Sequence, residues 1–441
     1  MLVIETPGQE FFPECSYVAK LVFGDFMGLP VEIIAGNDPH QWRISVENNR
    51  FSLPNKVFLR GKYPAILGSV LAPFTRVAFK GPLHKHTDLI APYVIGEGTA
   101  TEDIDVLGSI FYYLTCAEHC SNLPRSQYGT LEAKASPVAL YGDVSRPVVD
   151  ELVGYLKHLL ARVGVFSVYK AKYSLHVSCD VDMPSLWYGV SHGKVLKHLL
   201  GSIIKYKSVN RFKSALLPWL DLSKDPYYSF PWYMDLLERH GLTGCFNFMG
   251  GASNPDYDVP YDLSEEWMQR LLCSIAERNH IIGFHPSFEA AQSSDLFAKE
   301  LEHLNSAVGD KQHVDGGRHH YLRFLGPKTW RMWADSGLKW DSSVGYNDAV
   351  GFRCGTAKSY CVFDIEERKQ LSLTEKPLIV MEGSMLYEMK LGSCNIVKTL
   401  KKLADEVVFH GGNMSLLWHN SQLNGEEQKK LFNSAIEVLL P

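Results

Sequence analysis

The chain has no clustered positive charge. Its 44 Lys and Arg residues are outnumbered by 49 Asp and Glu residues, which gives a formal charge of −5, and no long basic run occurs. Nucleic acids and anionic membrane surfaces are bound through clustered Lys and Arg side chains. We therefore expect neither of them as a partner.

Long apolar segments are also absent. No run reaches the roughly 18 residues that a membrane span requires, and the opening stretch MLVIETPGQEFFPEC has glutamates but no Lys or Arg before an apolar segment, unlike a secretory signal. The nine cysteines are scattered singly, which argues against a disulfide framework. No Gly-rich phosphate-binding motif for a nucleotide cofactor is present. We expect a cytoplasmic protein without a membrane span.

With 441 residues, 46% of them hydrophobic and 21% charged, the chain has a globular composition and is too long for one ordinary core. In the first part, apolar segments such as KVFLRG alternate with helical patterns. RPVVDELVGYLKHLLARVG predicts an amphipathic helix with Pro147 in its first turn and Gly164 at its end. We predict a smaller α/β domain of unknown function over residues 1–165 and a second domain over residues 166–441.

From Tyr173 onward, short apolar runs recur and alternate with helical stretches. In SEEWMQRLLCSIAERN, for example, Ser264 can cap a helix whose apolar residues follow the i, i+3, i+4, i+7 rule. The apolar runs are YSLHVSCD, LTGCFNFMG, HIIGFHPSF, HHYLRFLG, LKWDSSVGY, PLIVMEG and EVVFHGGNMSLLWHN. Seven strands with intervening helices predict an α/β fold of the (β/α) barrel kind rather than a sandwich.

Ionisable side chains follow several of these runs, at the strand ends where barrel enzymes collect their catalytic groups. If the strand continues through CDVD, Asp180 and Asp182 share one face with Cα atoms about 6.5 to 7 Å apart. Carboxylates that close need a metal ion, an Arg or a shared proton nearby. An isolated pair of this kind more often belongs to a turn, so the wider set decides: Asp180, Asp182, His285, Asp341 and His419.

A second cluster lies in DGGRHHYLRF, where Arg318, His319, His320 and Tyr321 follow a Gly-Gly turn. Carboxylate and imidazole groups are ordinary Zn²⁺ ligands, and a catalytic zinc site needs three of them and an open position for water. A single histidine is more often a satisfied core or surface residue. Convergence of the whole set is therefore what would indicate a metal site.

From about residue 173 to the C-terminus, the chain resembles the NodB-type polysaccharide deacetylases, in the variant that carries DVD, HPS, RxHYL and LLWHN. The segment DSSVGYNDAVGFRCGT resembles that variant too. The first 165 residues resemble the uncharacterised α/β domain often fused in front of it. The resemblance implies a distorted (β/α) barrel and a metal-dependent hydrolase that removes N-acetyl or O-acetyl groups from a bacterial cell-envelope polysaccharide or its precursor.

The same resemblance implies roles for individual residues. Asp180 matches the aspartate that acts as general base, and Arg318 matches the arginine that holds it. Asp182 matches the metal-binding aspartate, and His285 matches the first histidine of the family's His-x-x-x-His metal motif. The implied cofactor is a divalent metal, Zn²⁺ first, with Co²⁺, Mn²⁺ or Ni²⁺ as alternatives.

His419 matches the histidine that acts as general acid, and Asp341 matches the aspartate that orients it. Tyr321 ends the motif whose backbone helps to bind the oxyanion. A metal polarises the carbonyl, a carboxylate deprotonates water and an imidazolium protonates the departing amine. We therefore expect Asp180 to be ionised, His419 to be protonated, and the pH profile to be bell-shaped.

The chain departs from the family pattern at three positions. Glu289 stands where the second histidine of the metal motif is expected, His320 stands where the family usually has proline, and Asn420 replaces an aspartate. The third ligand is His320, Glu289 or neither of them, and we favour His320. With no third ligand, the chain would be a catalytically silent, NodB-like carbohydrate-binding or scaffold protein.

A serine hydrolase is a further alternative, since GVSHG, residues 189 to 193, fits G-x-S-x-G. That motif needs a buried strand directly before the serine. DMPSLWY precedes it here, so we expect Ser191 to lie in a loop or at the start of a helix.

Overall fold

The computed structural model describes residues 1–59, 75–79, 85–92, 101–141, 143–167, 169–188, 192–204 and 209–441. Ser191 and the two residues before it, which belong to the G-x-S-x-G match, lie outside this part. Within the described residues no helix is both long and apolar enough to cross a membrane.

The strands of the described segments are β1 (Leu2–Thr6), β2 (Val31–Ala35), β3 (Gln41–Val46), β4 (Asn49–Pro54), β5 (Thr75–Ala78), β6 (Asp88–Ala91), β7 (Ser174–Val181), β8 (Gly244–Phe248), β9 (Ile281–Phe284), β10 (Gly316–Gly317), β11 (Trp340–Asp341), β12 (Tyr360–Asp364), β13 (Lys369–Glu375), β14 (Val380–Met381) and β15 (Asn413–Leu417). The helices are α1 (Phe12–Ala19), α2 (Val106–Leu114), α3 (Pro137–Tyr141), α4 (Val148–Arg162), α5 (His192–Ile204), α6 (Val209–Leu220), α7 (Phe230–Arg239), α8 (Glu266–Glu277), α9 (Ser294–Val308), α10 (Pro327–Asp335), α11 (Ser393–His410) and α12 (Glu426–Leu439). Two π-helical turns, Lys20–Phe26 and Ser384–Glu388, complete the main elements.

The N-terminal region is mixed α/β, as predicted. Its four-stranded sheet has the order β2-β1-β3-β4, with β1 and β2 parallel and the other pairs antiparallel. The described part of KVFLRG is not a strand. Its Lys56 and Val57 N–H groups instead donate to Asp105 Oδ2 at 2.7 and 3.0 Å. Asp105 also caps α2 through the N–H of Gly108, so this carboxylate joins the loop to the helix.

The C-terminal region contains a nine-stranded sheet with the order β12-β13-β11-β10-β9-β8-β7-β15-β14. Every neighbouring pair is parallel except β12 and β13. Six of the seven predicted runs contain one of these strands. HHYLRFLG does not: it forms a 3₁₀ turn at His320–Leu322, and the strand of that region is the Gly-Gly pair before it. The antiparallel β12 and β13 were not predicted.

The two ends of this sheet are connected through one stretch of chain, residues 369–381. Its first part, β13, pairs with β11, and the N–H groups of Lys376 and Leu378 then donate to the carbonyl groups of Asp341 and Val344 at 2.8 and 3.0 Å. Its last part, β14, pairs with β15. The stretch therefore makes hydrogen bonds to the chain at β11 and at β15.

Amphipathic helices cover this sheet. In α8, the predicted apolar residues Met268, Leu271, Leu272 and Ile275 are buried. The helix begins at Glu266, however, and Ser264 is not its cap, because the Ser264 hydroxyl donates to Asp262 Oδ1 at 2.7 Å.

The N-terminal region packs directly on the large sheet. The Tyr17 hydroxyl of α1 donates to the carbonyl of Cys361 in β12 at 2.8 Å. The ring of Phe111 in α2 lies 5.5 Å from that of Phe363. Apolar side chains from both regions belong to one continuous buried cluster. The outer edge of the large sheet is therefore buried against α1 and α2.

Candidate metal and catalytic site

The polar residues singled out from the sequence lie at the carboxyl ends of adjacent parallel strands. Because these ends meet at one edge of the sheet, side chains from β7, β9 and β15 converge there with those of the turn after β10. They line a cleft with a volume of about 310 Å³. The predicted site residues that line it are Asp180, Asp182, His285, His320, Tyr321 and His419.

Asp180 is buried at the end of β7 and is held by two donors on one oxygen. Its Oδ1 accepts from Asn247 Nδ2 at 2.6 Å and from Arg318 Nη1 at 2.9 Å. Asn247 lies opposite Asp180 in the β7–β8 register. On its other side, a Cβ at Gly283 would lie 2.0 Å from the Asn247 side-chain oxygen, so glycine in β9 leaves room for this amide.

Arg318 lies beside Asp180 and makes several hydrogen bonds. It is buried, and besides Asp180 it donates to Ser178 Oγ at 3.0 Å and to the carbonyl and hydroxyl of Ser342 at 2.9 and 3.0 Å. Burial alone would raise the pKa of Asp180, but Arg318 and neighbouring histidines outweigh it and lower that pKa. Asp180 is therefore an ionised buried carboxylate.

Three candidate metal ligands meet beside it. The nearest ligand atoms of Asp182, His285 and His320 all lie within 4.8 Å of one another. Asp182 Oδ1 is 3.1 Å from His285 Nε2 and 3.6 Å from His320 Nε2. One carboxylate and two imidazoles form a donor set that suits Zn²⁺.

Hydrogen bonds determine which ring nitrogens face the carboxylate. His285 Nδ1 lies 2.6 Å from the Arg318 carbonyl, and His320 Nδ1 lies 2.8 Å from Asp258 Oδ1. Both partners can only accept, so both Nδ1 atoms carry a hydrogen, and in the metal-binding form of each ring the Nε2 atom directs a lone pair towards Asp182. Three acceptors in this arrangement are held together by a proton or a metal ion between them. The residues therefore fit a divalent metal.

The charges of these groups also shift the pKa values of His285 and Asp182. Burial disfavours a charged His285, but the Asp180 and Asp182 carboxylates outweigh burial and raise its pKa. Burial would likewise raise the pKa of Asp182, and the surrounding histidines lower it. Protons and metal ions thus compete for this site, as is general for ligands that bind metals in the deprotonated form.

Glu289, the alternative third ligand, has another partner. Its Oε1 accepts from Asn254 Nδ2 at 3.0 Å. It is not a member of the ligand group that contains Asp182. The structure brings His320, rather than Glu289, to Asp182 and His285.

His419 is oriented by a residue that the sequence analysis missed. Its Nδ1 lies 2.5 Å from Glu382 Oε1, and its Nε2 lies 3.6 Å from Asp182 Oδ2. Burial works against a charged imidazole, but Glu382, Asp182 and Asp180 outweigh it and raise the pKa of His419 to about 10. Glu382 directly follows β14, so the rule that identified the other strand-end residues would have found it.

Asp341, which we expected to orient His419, has different partners. Its Oδ1 accepts from the N–H and hydroxyl of Ser343 at 3.0 and 2.6 Å. It is fully buried opposite Glu375 in the β11–β13 register. Burial raises the pKa of Asp341 to about 7 and that of Glu375 well above its ordinary value. Glu382, rather than Asp341, therefore contacts His419.

Asn420, the third departure from the family pattern, is structural. It is buried, and its Nδ2 donates to the carbonyl groups of Met183 and Tyr227, each at 2.8 Å. An aspartate could not donate these two bonds. The side chain therefore joins the loops after β7 and before α7.

Tyr321 and Leu322 form an unusual piece of backbone at the cleft. Their φ angles are 55° and 49°, in the left-handed region that non-glycine residues rarely adopt. The carbonyl of Tyr321 accepts from Asn347 Nδ2 at 2.9 Å. Such strain clusters at functional sites and persists where surrounding contacts hold it.

A family model described as a family of unknown function, DUF7033, matches residues 2–164. No curated protein matches the chain. Among solved structures, a Mycobacterium smegmatis protein described as a polysaccharide deacetylase aligns with 14% identity and a TM-score of 0.40, covering 62% of this chain and 85% of that one. Puue allantoinase aligns with 11% identity and a TM-score of 0.38, covering 61% and 85%.

Proposed function

We propose that this chain is a NodB-like, metal-dependent hydrolase that removes N-acetyl or O-acetyl groups from a polysaccharide or saccharide precursor. One observation carries the proposal. Asp182 faces the lone-pair sides of His285 and His320, and the ionised carboxylate of Asp180 lies beside them. Metal ligands next to a separate buried base are what amide or ester hydrolysis requires.

Asp182, His285 and His320 would hold the ion. Zn²⁺ suits this donor set best, and Co²⁺, Mn²⁺ and Ni²⁺ are alternatives. The bound ion supplies polarisation of the acetyl carbonyl and a lowered pKa of water. Asp258 holds His320 in the tautomer that can bind the ion, and the Arg318 carbonyl does the same for His285.

Asp180 acts as the general base in this proposal. Asn247 and Arg318 occupy its Oδ1, which leaves Oδ2 to accept the proton of the attacking water. Arg318 keeps the carboxylate ionised before the reaction. Burial strengthens these interactions because little solvent screens them.

His419 acts as the general acid. Its Nδ1 is directed at Glu382, so Nε2 is the nitrogen that faces the cleft and donates its proton to the departing amine or alcohol. Glu382 stabilises the imidazolium in the resting state. A base and an acid on opposite sides of one scissile bond complete the reaction.

We also propose an overall architecture for the chain. The nine-stranded sheet would be a distorted (β/α) barrel of about seven strands, closed where residues 369–381 pair with the chain at β11 and at β15. We further propose an α/β domain over residues 1–165 and the catalytic domain over residues 166–441. The substrate would be a bacterial cell-envelope carbohydrate, modified in the cytoplasm.

Metal analysis and acetate release from acetylated saccharides test the proposal. We expect about one divalent ion per chain and acetate release that Asp180→Asn and His419→Ala reduce by at least about 100-fold. His313→Ala, at a histidine whose side chain is 79% exposed, is the matched control. Full activity in Asp180→Asn would refute the assignment of the base. A metal-bound protein that binds saccharide but releases no acetate would favour the silent binding protein.

A further inference from the structure

One residue of the N-terminal region lies in the cleft that is formed mainly by the C-terminal region. Tyr128, within the stretch matched by the family of unknown function, lines it together with Asp182 and His320. Its ring stacks on that of Tyr321 with centroids 4.4 Å apart and planes 19° apart. Both tyrosines are half-buried.

Tyr128 is presented by a tight turn. The Ser126 N–H donates to the Thr130 carbonyl, and the Gly129 N–H donates to the Ser126 carbonyl, both at 2.9 Å. The Tyr128 N–H donates to Ser126 Oγ at 3.1 Å. Gly129 has a φ of 78°, which favours glycine at this position. The turn therefore fixes the backbone that carries the ring.

The turn is docked on the C-terminal region by polar contacts. Asn347 Nδ2 donates both to Thr130 Oγ1 at 3.2 Å and to the Tyr321 carbonyl at 2.9 Å. Three residues further on, the Ala133 N–H donates to Asp348 Oδ1 at 2.8 Å. One amide side chain thus connects the Thr130 hydroxyl of the turn to the backbone carbonyl of Tyr321.

The stacked rings of Tyr128 and Tyr321 lie next to a candidate metal ligand. The ring of His320 lies 4.3 Å from that of Tyr321, and Tyr321 in turn stacks on Tyr128. Tyr257 makes edge contacts with both tyrosines and stacks on Phe288 at 4.0 Å. This packing helps to hold the two tyrosines, both of which line the cleft.

We propose that Tyr128, supported by the ring of Tyr321 stacked on it, forms a binding platform for a sugar ring adjacent to the group that is hydrolysed. The N-terminal region then supplies part of the substrate-binding surface. The C–H groups on one face of a pyranose carry slight positive charge and pack on the negative face of an aromatic ring. The identity of the ligand as a saccharide rests on the proposed function.

The test measures binding separately from hydrolysis. The N-acetylglucosamine tetramer is titrated calorimetrically into zinc-loaded, full-length Asp180→Asn protein, with and without a change at Tyr128. We expect Tyr128→Ala to raise the Kd roughly 2- to 10-fold, the range that an aromatic contact contributes. Tyr128→Phe keeps the ring face and should keep the affinity.

Phe166→Ala is the control, because it removes an exposed aromatic ring outside the cleft. Tyr128→Leu retains apolar bulk without a flat face and replaces Tyr128→Ala if thermal denaturation shows that the alanine variant is unfolded. Unchanged affinity in the folded variant, or no binding of the tetramer to the Asp180→Asn protein, overturns the inference. Weaker binding in the variant together with no acetate release from wild type would support the platform and refute the hydrolase.

Discussion

Nδ1 of His419 lies 2.5 Å from Oε1 of Glu382, and the same oxygen accepts the backbone N–H of His419 at 3.0 Å. The carboxylate is fully buried. One oxygen therefore sets both the orientation of the ring and its tendency to hold a proton. Nε2 remains directed at the cleft.

Replacement of Glu382 should change the pH dependence of activity. A histidine with a raised pKa acts as an acid below that pKa and loses this capacity as pH rises through it. Glu382→Gln removes the largest contribution that raises the pKa of His419, so the alkaline limb of kcat should move to lower pH. Profiles of kcat from pH 6 to 10 measure it. Glu388→Gln removes an exposed carboxylate of the same cleft and should shift the alkaline limb of the pH profile less. An unshifted alkaline limb in Glu382→Gln would contradict the role of Glu382 in raising the pKa of His419.

Metal content should distinguish the two alternatives for the third ligand. His320→Ala should lose most of its bound metal, because it removes one of three converging ligands. Glu289→Ala should retain it, because Glu289 is bonded to Asn254 instead. Asp258→Asn weakens the support of His320 and should reduce metal affinity about 10- to 100-fold. Elemental analysis after dialysis, with affinities from chelator competition, provides the measurement, and loss of metal in Glu289→Ala alone would reverse the assignment.

Loss of the buried ion pair between Arg318 and Asp180 should lower the free energy of unfolding. Arg318→Met leaves Asp180 as an uncompensated buried charge, which costs about 3–5 kcal/mol. Asp180→Asn in the same background removes that charge and should recover part of the loss. Urea unfolding of the two single variants and the double variant forms the cycle. Strictly additive losses would show that the two groups are not coupled.

Asp341 and Glu375 should make the protein less stable as pH rises. Burial raises the pKa of both carboxyl groups in the folded protein. Their contribution to stability is therefore complete below the ordinary carboxyl pKa of about 4. It is lost as pH rises through the folded pKa, which is about 7 for Asp341. Asp341→Asn should reduce this loss by roughly 2–4 kcal/mol. Unfolding free energies at pH 5 and pH 8 measure it, and equal losses in wild type and variant would contradict it.

Much of the site was predictable because of a simple rule. An ionisable residue directly after an apolar run marks the carboxyl end of a strand, and it identified Asp180, Asp182, His285 and His419. Glu382 satisfies the same rule after PLIVMEG and was overlooked. Asp258 does not satisfy it, because it lies in a loop between β8 and α8 with no periodic pattern around it.

Other features could not be read from local patterns. β10 is a pair of glycines, whose strand conformation comes from pairing with β9 and β11 rather than from side chains. HHYLRFLG is apolar enough for a strand, but its middle residues adopt left-handed φ values. Ser264 is a good cap by type, yet its hydroxyl bonds to Asp262. In each case tertiary contacts or a competing local bond outweighed propensity.

The amino-acid sequence alone determined that this is an α/β chain with acids and histidines at strand ends, because periodicity and residue type are local properties. Only the tertiary structure decided that His320 joins Asp182, that Glu382 rather than Asp341 holds His419, and that Tyr128 reaches the cleft. The residues in each of these contacts are at least 37 positions apart in the chain. Their distances depend on the order and register of the strands, which no local pattern specifies.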